Sequence, residues 1–175
     1  MSPRSRFLAA FGLVFALSCA APFVSPPRAS ADGPLVLGFS GEGGGFVTDP
    51  QSAMGGLALR LGVRPIPLLS IYLQSHGLIG ALTAGPESGS AQGVLWNTAM
   101  LGVHFGPLHL AFGPSLDFAW GCDTQEGCVD GDLLFGLDGR VALHFGSLVL
   151  SADVHPTWID DDIVVGLVGG LGWQL

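Results

Sequence analysis

The stretch from Leu108 to Trp120 reads LHLAFGPSLDFAW. Leu108, Leu110, Phe112, Leu116, Phe118 and Trp120 share one parity, and His109, Ala111, Gly113, Ser115, Asp117 and Ala119 share the other. Side chains alternate across a β-strand, so this period of two describes a strand with one apolar face and one small, polar face. The neighbouring stretches repeat it. Upstream, across Gly106-Pro107, Leu95, Leu101, Val103 and Phe105 oppose Trp96, Thr98 and His104. Downstream, Leu133, Phe135, Leu137, Val141, Leu143 and Phe145 oppose Gly136, Asp138, Arg140, Ala142 and His144.

The alternation recurs eight times, at about Leu35–Phe46, Leu57–Arg64, Leu68–Leu82, Val94–Phe105, Leu108–Trp120, Leu133–Phe145, Leu148–Trp158 and Ile163–Leu175. All but the second reach the roughly 9–11 residues that a tilted strand needs to cross a bilayer. The joins alternate in length. Pro65-Ile66-Pro67, Gly106-Pro107 and Gly146-Ser147 are short; Val47–Gly56, Ala84–Gly93, Gly121–Asp132 and Thr157–Asp162 are longer and polar. Short turns at one end and long loops at the other are the pattern of outer-membrane barrels.

Composition gives the reason for closure. The chain is 49% hydrophobic, only 11% charged and carries 28 Gly, with a mean hydropathy of +0.55; soluble domains average about 25% charged residues. Past residue 31 no uncharged apolar run of about 18 residues could cross as a helix. In hydrocarbon every backbone N–H and C=O needs a protein partner, which leaves a closed barrel. Eight strands enclose a space that side chains can fill. The expected fold is therefore all-β: an eight-stranded antiparallel up-and-down transmembrane β-barrel, closed, with a side-chain-filled lumen. A soluble lipocalin-type barrel would put the apolar faces inside. Aromatic residues near strand ends suit interfacial girdles: Phe105, Phe145 and Trp173 at the short-turn edge, Phe46, Trp120 and Trp158 at the loop edge.

The N-terminus reads as a cleaved secretory signal over residues 1–31. Arg4 and Arg6 precede an apolar core from Phe7 to Ala21, and Ala29-Ser30-Ala31 is a small-x-small cleavage site. A membrane anchor or a lipoprotein acylated at Cys19 are the competing readings. The barrel domain is then 32–175, starting at Asp32. It keeps three Arg (Arg60, Arg64, Arg140), no Lys and all fourteen Asp and Glu, a formal charge of −11. Nucleic acid is thus no partner, since binding it requires cationic side chains. Cys122 and Cys128 remain, an even pair in an exported chain, and the expectation is a disulfide.

These features resemble the small outer-membrane β-barrel family, the group that contains the transmembrane domain of outer membrane protein A. The residues that carry the resemblance are Gly38, Gly41, Gly43, Gly44 and Gly45 of the first strand, the eight-fold alternation, and the closing Gly172-Trp173-Gln174-Leu175. Family members usually end in Phe or Trp, whereas this chain ends in Leu175 with Trp173 two residues earlier on the same face. The resemblance implies the outer membrane of a Gram-negative bacterium, reached through the periplasm, with membrane lipid and lipopolysaccharide as surroundings.

Several constellations are candidates for chemistry. Glu42, Arg60, Arg64, Asp138, Arg140 and Asp153 all point inward. Opposite charges there should pair, Glu42 with Arg60 or Arg64 and Arg140 with Asp138 or Asp153, because an unpaired buried charge is costly. A two-residue turn at Gly106-Pro107 sets His104 opposite His109, near enough to share a metal, with His144 as a third ligand for Zn²⁺ or Cu²⁺. The plainer reading is a hydrogen-bonded neutral plug. Ser151, Asp153 and His155 share a face, but residues two apart on a strand lie about 6.6–6.8 Å apart, so Ser151 and His155 do not form a catalytic pair. Asp49, Glu87, Asp123, Glu126, Asp130, Asp132 and Asp160-Asp161-Asp162 make the loops acidic, suited to a divalent cation or simply to solvent. The expectation is a monomeric, non-enzymatic barrel with a structural or adhesive role, its acidic loops open to an extracellular partner. A lipid-modifying enzyme and a narrow ion or solute channel are the alternatives, and no cofactor is required.

Overall fold

Eight strands follow one another as β1 (Leu35–Phe46), β2 (Ser52–Ile66), β3 (Leu69–Leu82), β4 (Ala91–Phe105), β5 (Leu108–Asp123), β6 (Gly127–Phe145), β7 (Leu148–Ile159) and β8 (Asp162–Gln174). The structure is a computed structural model. It describes residues 34–48, 51–82, 90–123, 127–159 and 162–175, with backbone only at Leu82, Cys122, Asp123, 127–130 and Asp132. Residues 1–33, which include the expected signal, and most of the acidic loop residues lie outside the described residues.

Each strand pairs antiparallel with the next, and β1 closes on β8 through Gly38↔Gln174 to Phe46↔Gly166. Closure leaves no sheet edge, so the strand backbones hydrogen-bond around the wall. The short turns are tight: Gly106 and Gly146 take φ of 61° and 65°, which glycine adopts without steric cost. Gly at the first central position of a two-residue hairpin suits a type II′ turn, whose twist matches the strands.

Two details differ from the sequence reading. The first short turn is Pro67-Leu68, with Ile66 paired to Leu69 and the ladder irregular between Val63 and Ile66. Pro65 lacks an N–H and is carried in this irregular stretch instead of making the turn. β2, β4 and β6 also begin earlier than expected, because their loop-side ends continue the ladder without an apolar face to mark them. A further proline, Pro114, falls where β4–β5 pairing is interrupted between Thr98↔Ser115 and Leu101↔Phe112.

The two faces separate cleanly. Outside stand Leu133 (71% exposed), Ile79 (68%) and Phe112 (67%), with Leu57, Leu59, Leu61, Leu73, Leu116, Phe135 and Phe145 also exposed. Inside, Arg60, Gln74, His76, Asp117, Asp138, Arg140, Asp153 and His155 are buried. Within the apolar wall sits a polar pair, Ser75 and Asn97, which are register partners. Ser75 Oγ donates to Asn97 Oδ1 at 2.8 Å, and Asn97 Nδ2 donates to the Leu116 carbonyl at 3.5 Å, so the wall satisfies these polar groups itself.

The interior is layered. Near the loops lies an apolar cluster of Met54, Leu78, Val94, Trp96 and Val168, with Phe46 and Ala119 against it. Phe46 therefore points inward, its ring 6.1 Å from Trp96, and is not part of an outer girdle: it shares the parity of Glu42, not of Phe39. Below this cluster comes an ionic layer. A second apolar cluster follows, Val36, Tyr72, Met100 and Ala111, and the short-turn mouth holds three histidines.

Candidate functional site

The ionic layer draws from seven strands, β5 contributing Ser115 and Asp117. Glu42 and Ser40 stand on β1, Arg60 on β2, Gln74 and His76 on β3, Thr98 on β4, Asp138 and Arg140 on β6, and Asp153 on β7. Inward parity on adjacent strands brings them to one level: Arg60 is the register partner of Gln74, and Arg140 of Asp153. Arg60 Nη2 lies 3.4 Å from Glu42 Oε1 and 2.7 Å from Ser40 Oγ, and its Nε donates to Gln74 Oε1 at 2.8 Å. Arg140 Nη1 donates to both oxygens of Asp153 at 3.0 Å.

Histidines complete the layer. His76 Nδ1 is 2.6 Å from Glu42 Oε2 and its Nε2 is 3.4 Å from Asp138 Oδ2. His155 Nε2 is 2.9 Å from Asp117 Oδ2, while its Nδ1 is 3.8 Å from Asp138 Oδ2. Each ring thus sits between two carboxylates and hydrogen-bonds to the nearer one, His76 to Glu42 and His155 to Asp117, while His155 Nδ1 has no hydrogen-bond partner. The Trp96 indole stacks on His155 at 4.1 Å and 5°, sealing the layer from the loop side.

Among the described residues, His76, Asp138 and Asp153 are the trio whose ligand atoms lie within 4.8 Å of one another. The Gln74 amide already occupies that position. Its Nε2 is 2.9 Å from Asp153 Oδ1 and 3.4 Å from Asp138 Oδ2, and it touches His76 Nε2. The chain fills its own would-be cation site.

The serine nearest His155 is Ser115, not Ser151: Ser115 Oγ is 3.2 Å from His155 Nε2. That same nitrogen faces Asp117, which also accepts from Thr157 Oγ1 at 2.8 Å. Ser115 and His155 are both buried. Ser151 Oγ has no hydrogen-bond partner.

The mouth is built differently. His104 and His109 are register partners across the Gly106-Pro107 turn, and their rings stack at 4.2 Å and 20°. His144 stands edge-on, 6.0 Å from His104 and 5.8 Å from His109. Both His104 Nε2 and His109 Nε2 point at Ser70 Oγ, at 3.1 and 3.2 Å. Arg64, half-buried at the end of β2, bears electrostatically on all three rings. Glu42 pairs with Arg60. Cys122 and Cys128 are direct register partners on β5 and β6, with their side chains outside the described residues.

Ser40, Gln74, Thr98, Ser115, Asp117 and Thr157 belong to the ionic layer but were not singled out in the sequence. Their signal was inward parity at the level of a charged neighbour: Gln74 is two residues from His76, and Asp117 two from Ser115.

No protein-family model matches the chain, and no curated protein matches it. Solved structures do. Ail, the attachment invasion locus protein of Yersinia pestis, is 12% identical with a TM-score of 0.57, covering 82% of this chain and 99% of Ail. The N-terminal β-barrel domain of Pseudomonas aeruginosa OprF is 9% identical with a TM-score of 0.54, covering 82% of this chain and 98% of that domain. Neisserial surface protein A is 12% identical with a TM-score of 0.54, covering 81% and 96%. The chain has the fold of these small outer-membrane barrels.

Proposed function

We propose that the chain is exported and inserted into the outer membrane of a Gram-negative bacterium, where it is a non-enzymatic barrel with a structural or adhesive role. The observation that carries this reading is the inverted wall: exposed Leu, Phe, Ile and Val outside, buried Arg, His, Asp and Glu inside. Such a wall suits acyl chains, and a closed barrel is the sheet that hydrocarbon tolerates. Lipid and lipopolysaccharide are then its surroundings. The acidic loops, with divalent cations as bridges, would meet lipopolysaccharide phosphates or an extracellular partner. The interlocked ionic layer between two apolar clusters favours a sealed barrel over a channel. The attachment role in the name of Ail is in keeping with an adhesive reading. The Cys122↔Cys128 register suits a disulfide closing the loop-side hairpin, since paired strand residues have Cα atoms about 4.5–5.5 Å apart.

The test is expression in a Gram-negative host, with membrane fractionation and electrophoresis of boiled and unboiled samples. The expected result is an outer-membrane protein whose mobility changes on boiling. Recovery from the soluble periplasm would remove the reading. Turnover of labelled phospholipid or lipopolysaccharide by the folded protein would replace it with an enzyme, and stepwise conductance in planar bilayers with a channel.

A further inference from the structure

We propose that His104, His109 and His144 form a binding site for a nitrogen-preferring transition-metal ion, Cu²⁺ or Zn²⁺, at the short-turn mouth of the barrel. Three observations converge on it. The first is aim. The Nε2 atoms of His104 and His109 face a single point, now held by the Ser70 hydroxyl at 3.1 and 3.2 Å. A hydroxyl has one hydrogen, so it donates to one ring and accepts from the other. An ion at that point would bind both nitrogens at roughly 2.0–2.1 Å, which needs each ring to close by about 1 Å and the serine to turn towards the Gly102 carbonyl, already 3.5 Å away.

The second observation is unmet hydrogen-bonding capacity. His144 Nε2 and His109 Nδ1 are buried with no hydrogen-bond partner. Buried unpaired nitrogens are costly and call for a water or an ion. In the ionic layer, the unpaired atoms belong to side chains already anchored by an oppositely charged neighbour. Here, among the described residues, no carboxylate is paired with the three rings, and His144 Nε2 has no hydrogen-bond partner.

The third is the chemistry of the donors. Imidazole suits Cu and Zn, whereas Ca²⁺ and Mg²⁺ need oxygen ligands. The ligand atoms of the three rings do not yet gather as closely as those of His76, Asp138 and Asp153. His144, half-buried on β6 beside the Gly146 turn, is the ring that swings in. Half-burial of His104 and His144 also gives an ion entry from the mouth, which the sealed ionic layer lacks.

The experiment uses the tag-free chain, without residues 1–31, folded in detergent micelles and stripped with chelator, then titrated with Cu²⁺ and with Zn²⁺. The site predicts one ion per barrel and a Cu²⁺ electron paramagnetic resonance spectrum with hyperfine structure from more than one imidazole nitrogen. His104→Gln, His109→Gln and His144→Gln, each shown to fold by its heat-dependent mobility, should weaken binding by at least about 10- to 100-fold, the cost of losing even outer-shell partners. The wild-type spectrum counts the nitrogens even if a variant does not fold. Absence of stoichiometric binding, or binding retained by the triple variant, would overturn the site. Histidine NMR signals that respond to inorganic phosphate and not to Zn²⁺ would mark an anion site and overturn it equally.

Discussion

The middle of the barrel and its short-turn mouth are both polar, both enclosed by the same wall, and built on opposite logic. In the middle, each charged group faces an opposite charge: Arg140 grips Asp153, Arg60 meets Glu42, and each of two histidines lies between carboxylates. Apolar clusters close the layer above and below. At the mouth, three uncapped imidazoles lean on each other and on one serine, with buried nitrogens left unpaired. The difference teaches that polarity inside a barrel is not one property. A network of paired charges cements the strands it joins across the lumen, whereas a cluster of imidazoles at an opening, with no carboxylate paired to it among the described residues, is available to a ligand.

The contrast is sharpest under mutation. Arg140→Leu leaves Asp153 buried without its cation, and breaking a buried pair costs about 3–5 kcal/mol. Equilibrium urea unfolding should show that loss, and a change under 1 kcal/mol would mean that the layer is not cementing the barrel. Next in size, a bound metal should stabilise the mouth: at 100 times the wild-type Kd it adds about 2.7 kcal/mol to the wild type and at most about 1.4 kcal/mol to His109→Gln, whose Kd is at least about 10-fold higher, measured by the same unfolding with and without Zn²⁺. Gln74→Leu removes the amide that links Arg60, Arg140, Asp138 and Asp153. Leaving such buried partners unsatisfied costs about 1–3 kcal/mol. Smallest of all is Ser70→Ala at the mouth, about 0.5–1.5 kcal/mol, the net worth of an ordinary hydrogen bond. A larger loss there than for Gln74→Leu would invert the comparison.

How far the sequence could be read follows from the same contrast. Outward positions are legible because lipid demands one chemistry all the way round, so parity alone separates Leu110, Leu143 and Leu167 from their neighbours. β1 spans Leu35–Phe46 as its alternation predicts, and His104 meets His109 because a two-residue turn fixes register. Inward positions are harder. The interior accepts any side chain that fits, so Met54 and Leu78 stand among polar residues, and Phe46 lies at a strand end where an interfacial aromatic is expected although its parity puts it inside. Pairings such as Ser115 with His155, or Gln74 with Asp153 across the lumen, depend on barrel diameter and strand stagger, which one strand's sequence does not contain. The start of β6 at Gly127 was hidden for a related reason: a hairpin beyond the apolar belt needs no apolar face, so its residues read as loop.

The central claim is that the leucine-rich face of the wall meets hydrocarbon. Its most direct test places nitroxide labels at Leu110, Leu143 and Leu167, one at a time, in a Cys122→Ser, Cys128→Ser background reconstituted in bilayers. Collisions with dissolved oxygen should exceed those with a water-soluble paramagnetic reagent at all three sites. Labels that instead collide freely with the aqueous reagent at all three would contradict the inverted wall, and the outer-membrane assignment with it.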